Sequence, residues 1–343
     1  MKVTSARDIG IIGLGKMGVL HAGVAHSLSG VQVKAICEKN TLLTKLAKEL
    51  LPKSVVFYDD HITMVEDEEL DAVFVTTPIE SHVPIVTDIA QTRKGLSLFV
   101  EKPLAVTHNQ AQAACEAVRG MKGIHMVGYQ KRFSPIFQRA KELVMGHRIG
   151  DLMFFRAHSF SSDVLRQGRS WRFAKGAGGV LLDLAPHVLD MVMWFFGEPE
   201  TVVATRRRIY SREVDDYAHA AMSFRDGLQG YVDVCWSMRD FRLPDTLIEV
   251  QGTNGNITVT DDYVKLEING QDPLETSVEM DYKQSFDTSV SFLLADPEYT
   301  KEDETFLSAI RTEHLPELNF FEASKVNALI DRIMEFPEGN RST

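Results

Sequence analysis

The chain has 343 residues, 44% hydrophobic and 25% charged, with a net charge of −11, a length that suits two domains better than one core. The acidic balance argues against nucleic acid as a partner, because phosphate binding needs a basic surface. No apolar run approaches the roughly 20 residues that cross a bilayer.

The N-terminal MKVTSARDIG lacks the apolar core of a secretion signal. Cys37, Cys115 and Cys235 are far apart and form no CxxC pair, which suggests neither a disulfide framework nor a metal site. A cytoplasmic enzyme is the expectation.

In chain order, DIGIIGLGKMGVLHAGVAHSL opens as a short strand, turns at Gly13 and continues as a helix. VQVKAIC (31–37) predicts a second strand and TLLTKLAKELL its helix. DAVFVTT, LSLFVE and GIHMVGYQ predict further strands, separated by the helical stretches ESHVPIVTDIAQT and HNQAQAACEAVRG. Strands alternating with helices of this length imply right-handed crossovers and a doubly wound parallel sheet, a Rossmann domain. We place it over residues 1–128.

Gly13-x-Gly15-x-x-Gly18 falls between that first strand and helix. The first glycine would make the tight turn, the second would admit a pyrophosphate, and the third would let helix and strand pack closely. Lys16 and Met17 lie at the helix N-terminus, whose free N–H groups suit phosphate. Glu38 ends the second strand, where an acid binds the adenosine ribose hydroxyls and repels a 2′-phosphate. NAD is therefore expected. The neighbouring Lys39 keeps NADP as the alternative.

After about residue 150 the strands come in consecutive runs, from DLMFFRAHSFSS through NGNITVTDDYVKLEI. Over 228–236, Leu228, Gly230, Val232, Val234 and Trp236 share one face, and Gln229, Tyr231 and Asp233 the other. That alternation predicts a large, mostly antiparallel open sheet with one polar face, free for solvent or a second subunit. We assign 129–318 to this α/β domain, for substrate binding and oligomerisation, and 319–343 to a C-terminal helix returning toward the first domain. RRR at 206–208 reads as surface or interface charge.

In GGVLLDLAPH (178–187), extended as one helix to about 195, Leu181, Leu184, Val188, Val192 and Phe195 form an apolar stripe. Asp183, His187, Asp190 and Trp194 fall on another face. By spacing alone a solvated face explains them as well as catalysis does.

IIGLGKMGVLHA, VTTPIESH, VEKPLA, GYQKRFSP and GGVLLDLAPHVLD occur in an order that resembles the glucose–fructose oxidoreductase/inositol dehydrogenase/rhizopine catabolism (Gfo/Idh/MocA) family. The resemblance spans essentially the whole chain. It implies NAD(P)-dependent interconversion of a secondary alcohol and ketone on a sugar, cyclitol or derivative, by homodimers or homotetramers assembled through the C-terminal sheet. Lys102, Asp183 and His187 would form the catalytic set. Thr76, Thr77 and Pro78 would line the cofactor crevice, and Glu101 would lie beside the nicotinamide ribose. His82 and His21 also match family positions, with His82 beside the cofactor and packing or helix capping the favoured role of both. The chain departs from the family pattern at Ala177 and Ala185, where glycines are common.

Lys102 follows a parallel strand at its carboxyl end, where α/β sheets place ligands. A helix of the second domain facing that crevice would bring the three ionisable groups together. Histidine's pKa near 6.5 suits His187 as general base and acid. The Lys102 ammonium would stabilise the developing negative oxygen, and direct proton transfer by Lys102 is the rival assignment. Asp183 would accept hydrogen bonds from substrate hydroxyls. No metal is required.

Arg166, Arg169, Arg172 and Lys175 recur every third residue just before that helix. They read either as solvated loop charges or, with Arg132 and Trp171, as a rim for an anionic sugar such as a nucleotide-sugar or sugar acid. Two other functions compete: a glycoside hydrolase that retains NAD, and a non-catalytic NAD-sensing regulator.

Overall fold

The computed structural model describes residues 7–92, 94–162, 176, 178–241, 244–277 and 297–339. The chain divides into two compact units, Met1–Gln130 with Val290–Lys325, and Lys131–Ser289 with Val326–Thr343.

In the first unit β1 (Arg7–Ile12), β2 (Val31–Cys37), β3 (Val56–Tyr58), β4 (Ala72–Val75), β5 (Ser97–Glu101) and β6 (His125–Gly128) pair in parallel, in the order β3-β2-β1-β4-β5-β6. This is the doubly wound Rossmann order, with its switch point between β1 and β4. β4 and β5 are buried along their whole length, as strands must be when helices cover both faces of a sheet. The crossovers run through α1 (Lys16–Ser27), α2 (Thr41–Leu50), α3 (His61–Asp67), α4 (His82–Gln91) and α5 (His108–Val118). Side chains close three of these helix starts: Asn40 accepts from the Leu42 and Leu43 amides, Asp60 from Thr63 and Thr107 from Gln110. Each such cap satisfies donors that the helix itself leaves open.

The second unit carries α6 (Pro135–Met145), β7 (Leu152–Phe160), α7 (Val180–Asp183), α8 (Ala185–Phe196) and β8 (Thr201–Arg207). β9 (Tyr217–Ser223), β10 (Gln229–Cys235), β11 (Asp245–Gly252), β12 (Gly255–Thr260), β13 (Tyr263–Ile268) and β14 (Leu274–Ser277) follow. They form one sheet in the order β14-β13-β12-β11-β7-β10-β9-β8. Within this sheet only β7 and β10 pair in parallel among the described strands. Burial alternates residue by residue along β9, β10 and β11, so one face is covered and the other open.

The last helices are α9 (Pro297–Thr312) and α10 (Phe320–Met334). α9 groups with the N-terminal strands and packs on α1, although chain order had assigned 129–318 to the second domain. Its buried Phe306 lies against Phe74 and Phe99 of the parallel sheet. Arg206 also differs from its sequence reading as surface or interface charge. Its side chain is mostly buried, pairs with Asp215 at 3.0 Å, and donates to the Met334 and Phe336 carbonyls that end α10.

Candidate active site

The glycine turn follows β1. Gly13 has φ +93, and a Cβ there would meet Thr77 Cγ2 at 2.8 Å. A Cβ on Gly18 would lie 2.0 Å from the Gly13 carbonyl oxygen. Gly15 differs: among the described residues, nothing beyond its own chain neighbours lies within 4 Å of its added Cβ. It is the N-cap of α1, and no side chain caps that helix start. Lys16 is exposed and Met17 half-buried in the first turn.

Glu38, just past β2, accepts the Leu14 amide on one carboxylate oxygen at 2.6 Å and the Asn40 amide on the other at 2.7 Å. Its charge is thus fixed beside the glycine turn, with Lys39 exposed next to it. The buried Thr76 hydroxyl donates to the Gly13 carbonyl at 2.7 Å, tying the end of β4 to that turn. The Thr77 hydroxyl oxygen is buried without a hydrogen-bond partner, and Pro78 is exposed.

Lys102 follows β5 and is half-buried, with a cis peptide to Pro103. His82 opens α4, its ring nitrogens 3.0 Å from the Pro103 carbonyl and 2.9 Å from the Thr77 carbonyl. Burial holds this imidazole below its ordinary range, with a carbonyl oxygen facing each ring nitrogen. His82 therefore braces the backbone on both sides of the crevice residues. Glu101 turns inward: one carboxylate oxygen faces His21 Nε2 at 2.9 Å and the other accepts the Lys102 amide at 3.1 Å.

In the second unit, the stretch read as one helix from 179 is two. Leu184 ends α7 and begins α8, because Pro186 has no N–H to continue the hydrogen-bond ladder. Asp183, at the end of α7, is only 6% exposed, which removes the solvated-face reading for it. His187, in the first turn of α8, is half-buried. Asp190 is fully buried and receives a two-pronged hydrogen bond from Arg132, Nε to Oδ2 at 2.9 Å and Nη2 to Oδ1 at 2.7 Å. The Arg132 guanidinium also lies over Trp194 at 5.7 Å. Arg166, Arg169, Trp171, Arg172 and Lys175 lie outside the described residues.

Residues 7–129 match the model of an oxidoreductase family with an NAD-binding Rossmann fold, and residues 137–258 match the GFO/IDH/MocA C-terminal domain. The chain belongs to the Gfo/Idh/MocA family.

This Gfo/Idh/MocA chain is 28% identical to the rhizopine catabolism protein MocA of Rhizobium meliloti, over 67% of this chain and 74% of that protein. It is 29% identical to scyllo-inositol 2-dehydrogenase (NAD(+)) of Bacillus subtilis, over 73% of this chain and 72% of that enzyme. In fold it matches levoglucosan dehydrogenase in complex with NADH, at TM-score 0.83, covering 96% of each chain with 24% identity. The protein is an NAD-dependent oxidoreductase.

The residues of this Gfo/Idh/MocA site fit the dinucleotide. Gly15 leaves space where a side chain would stand, and the uncapped start of α1 offers amide donors for the pyrophosphate. Glu38 would hold the adenosine ribose, and the Thr77 hydroxyl, whose methyl neighbour faces the turn at Gly13, is an unpartnered donor beside it. Sequence reading missed Asp190 as the partner of Arg132 and Asp303 as a partner of His21. Asp190 sits four residues after Pro186 on an apolar helix, and a lone acid there was the available signal. Asp303, 282 residues from His21, carried none.

Proposed function

We propose that this oxidoreductase interconverts a secondary alcohol and a ketone on a polyhydroxylated ring, a sugar or a cyclitol. The glycine turn with its open Gly15 carries the reading, because it supplies a dinucleotide cradle with only β4 between its strand and the one that the half-buried Lys102 follows. The names of the relatives, inositol, levoglucosan and apiose dehydrogenases, point to the same substrate class. Bound NAD supplies the hydride acceptor.

The chain's own residues then have three tasks. His187 takes the hydroxyl proton as the alcohol is oxidised and returns it in the reverse direction, since an alkoxide released into water is too costly. The Lys102 ammonium stabilises the oxygen that becomes negative. Asp183 accepts hydrogen bonds from neighbouring hydroxyls and so fixes which carbon reacts. The cations of 166–175 would add a preference for an anionic ring. With Arg132 engaged by Asp190, that preference falls to Arg169 and Arg172, with Trp171 stacking on the ring. We propose further that the protein works as a homo-oligomer built on the open face of its second sheet.

The test is a screen of the purified protein against cyclitols, aldoses, uronates and nucleotide-sugars with NAD and NADP, followed at the nicotinamide absorbance. Turnover of a ring polyol with net NADH formation is expected. Lys102→Met and His187→Ala should each lower kcat at least 100-fold. Glycoside cleavage without net NADH would replace this reading with the hydrolase, and tight NAD binding with no turnover would replace it with the sensor.

A further inference from the structure

Beneath the parallel sheet lies a cluster that the reaction does not use directly. His21 is 0% exposed, as are Glu302 and Asp303, and Glu101 is 7% exposed. Both ring nitrogens of His21 face carboxylates: Nδ1 lies 2.8 Å from Asp303 Oδ1, and Nε2 lies 2.9 Å from Glu101 Oε1. Phe74 and Phe99 pack around the ring. Glu302 adds a third carboxyl group, with both oxygens buried and without hydrogen-bond partners. One of its carboxylate oxygens, a His21 ring nitrogen and an Asp303 oxygen lie within 4.8 Å of one another.

Three bare carboxylates beside a neutral imidazole would place three uncompensated negative charges in a buried core, at a prohibitive desolvation cost. Protons must therefore reside here. An ionised carboxylate only accepts, so a ring flanked by two of them donates from both nitrogens, which is the imidazolium form. Glu302, with no donor to stabilise its charge, is the group that must carry the second proton.

We propose that Asp303, His21 and Glu101 form a buried charged relay that positions Lys102, with His21 held as imidazolium and Glu302 as a neutral acid beside it. The relay acts through Glu101: His21 orients one carboxylate oxygen, and the other holds the Lys102 amide. His21, Glu101 and Asp303 are positioning residues. The proposal rests on the reading of Lys102 as catalytic. Burial would lower the His21 pKa, but the Asp303 and Glu101 charges outweigh it and raise it well above its ordinary value. Burial, then the Glu101 charge, raises Glu302 well above the carboxylate range. Three further titratable groups reach the cluster: Glu298 of α9, whose charge acts on Glu302, Tyr299 of α9, whose ring lies 6.2 Å from that of His21, and His82 of α4, on which the Glu101 charge acts.

The imidazolium is read directly on the wild-type protein labelled with 15N-histidine, its His21 signals assigned by their loss in His21→Gln. Both nitrogens should show the protonated position at pH 8. A bare ring nitrogen at that pH overturns the proposal, and so does stoichiometric zinc or manganese that survives dialysis and is lost in Glu302→Gln. Glu302→Gln, the neutral isostere, should leave the His21 signals in place, and their displacement would show that Glu302 is ionised.

Positioning is read by amide exchange. Asp303→Asn should speed exchange at Lys102 about tenfold while the 179–196 segment keeps its wild-type rate. On the polyol identified by the screen, Asp303→Asn should lower kcat about tenfold with KM changed less than twofold. Unchanged exchange and kcat in a folded Asp303→Asn protein sink the relay alone. Full turnover by Lys102→Met sinks the catalytic reading alone, and the imidazolium signature stands or falls independently of it.

Discussion

Gly15 and Gly18 have different reasons to be glycine, and substitution separates them. Alanine at 18 would drive a Cβ to 2.0 Å from a backbone oxygen, so Gly18→Ala should lower the Tm and abolish NAD binding together. Alanine at 15 meets nothing within 4 Å among the described residues beyond its own chain neighbours. Gly15→Ala is expected to keep a Tm close to wild type and to weaken NADH binding at least tenfold, measured by fluorescence titration. A parallel loss of Tm would mean that the open space serves folding rather than the dinucleotide.

His125 gives a second prediction at this scale. Its Nδ1 accepts the Phe320 amide at 3.1 Å, a role only the unprotonated nitrogen can fill, and burial pushes its pKa down to about 4. The unfolded chain takes up a proton near pH 6.5 and the folded chain does not until about 4. Stability from this group is therefore whole above pH 6.5 and lost as pH falls through that window, by about 3 kcal/mol at the low end. His125→Asn, whose amide oxygen can still accept, should flatten the fall in Tm between pH 6.5 and 4. An unchanged slope would exonerate the ring.

At the scale of elements, the sequence disclosed those whose pattern is local. Period-two alternation located β10, with Leu228, Val232, Val234 and Trp236 buried and Tyr231 exposed between them. The glycine spacing located the turn before α1. What stayed hidden depended on partners distant in the chain. The break between α7 and α8 was legible in Pro186, but the apolar stripe across it argued for one helix. The placement of α9 was not legible, since its Phe306 meets Phe74 and Phe99 only after the parallel sheet has formed. Lys102, Asp183 and His187 are put forward by motif, whereas the engagement of Arg132 by Asp190 joins residues 58 positions apart that no local pattern links.

Arg206 shows why a charge run on a strand is ambiguous: its guanidinium caps the carbonyl end of α10 and also pairs with Asp215. Arg206→Met keeps the stem but removes the donors, leaving those carbonyls and the Asp215 carboxylate without it. We expect a loss of about 1.5–3 kcal/mol in urea unfolding, the range for hydrogen bonds to charged groups. A change under 0.5 kcal/mol, typical of surface sites, would return Arg206 to the surface-charge reading.

For the molecule as a whole, the open face of the second sheet sets the expected assembly. Strand registers align Val203, Ala221, Tyr231, Arg156, Glu249, Thr258 and Lys265 in one row across that face. Val203 is 62% and Tyr231 45% exposed, and Met153 and Phe154 are exposed on the same β7 strand as Arg156. The centre of the row is charged but paired, Arg156 to Glu249 at 2.9 Å, so it can be covered without stranding a lone ion. A face with large apolar side chains and internally matched charges suits a second copy of itself, because a two-fold axis brings the same row against its own reverse. Light scattering on the purified chain should therefore give an even multiple of its 38.5 kDa mass. Val203→Lys with Tyr231→Lys should reduce that mass at unchanged Tm of the monomer fold. A wild-type protein that runs as a monomer at micromolar concentration would leave this face to solvent, and the assembly proposal would be wrong.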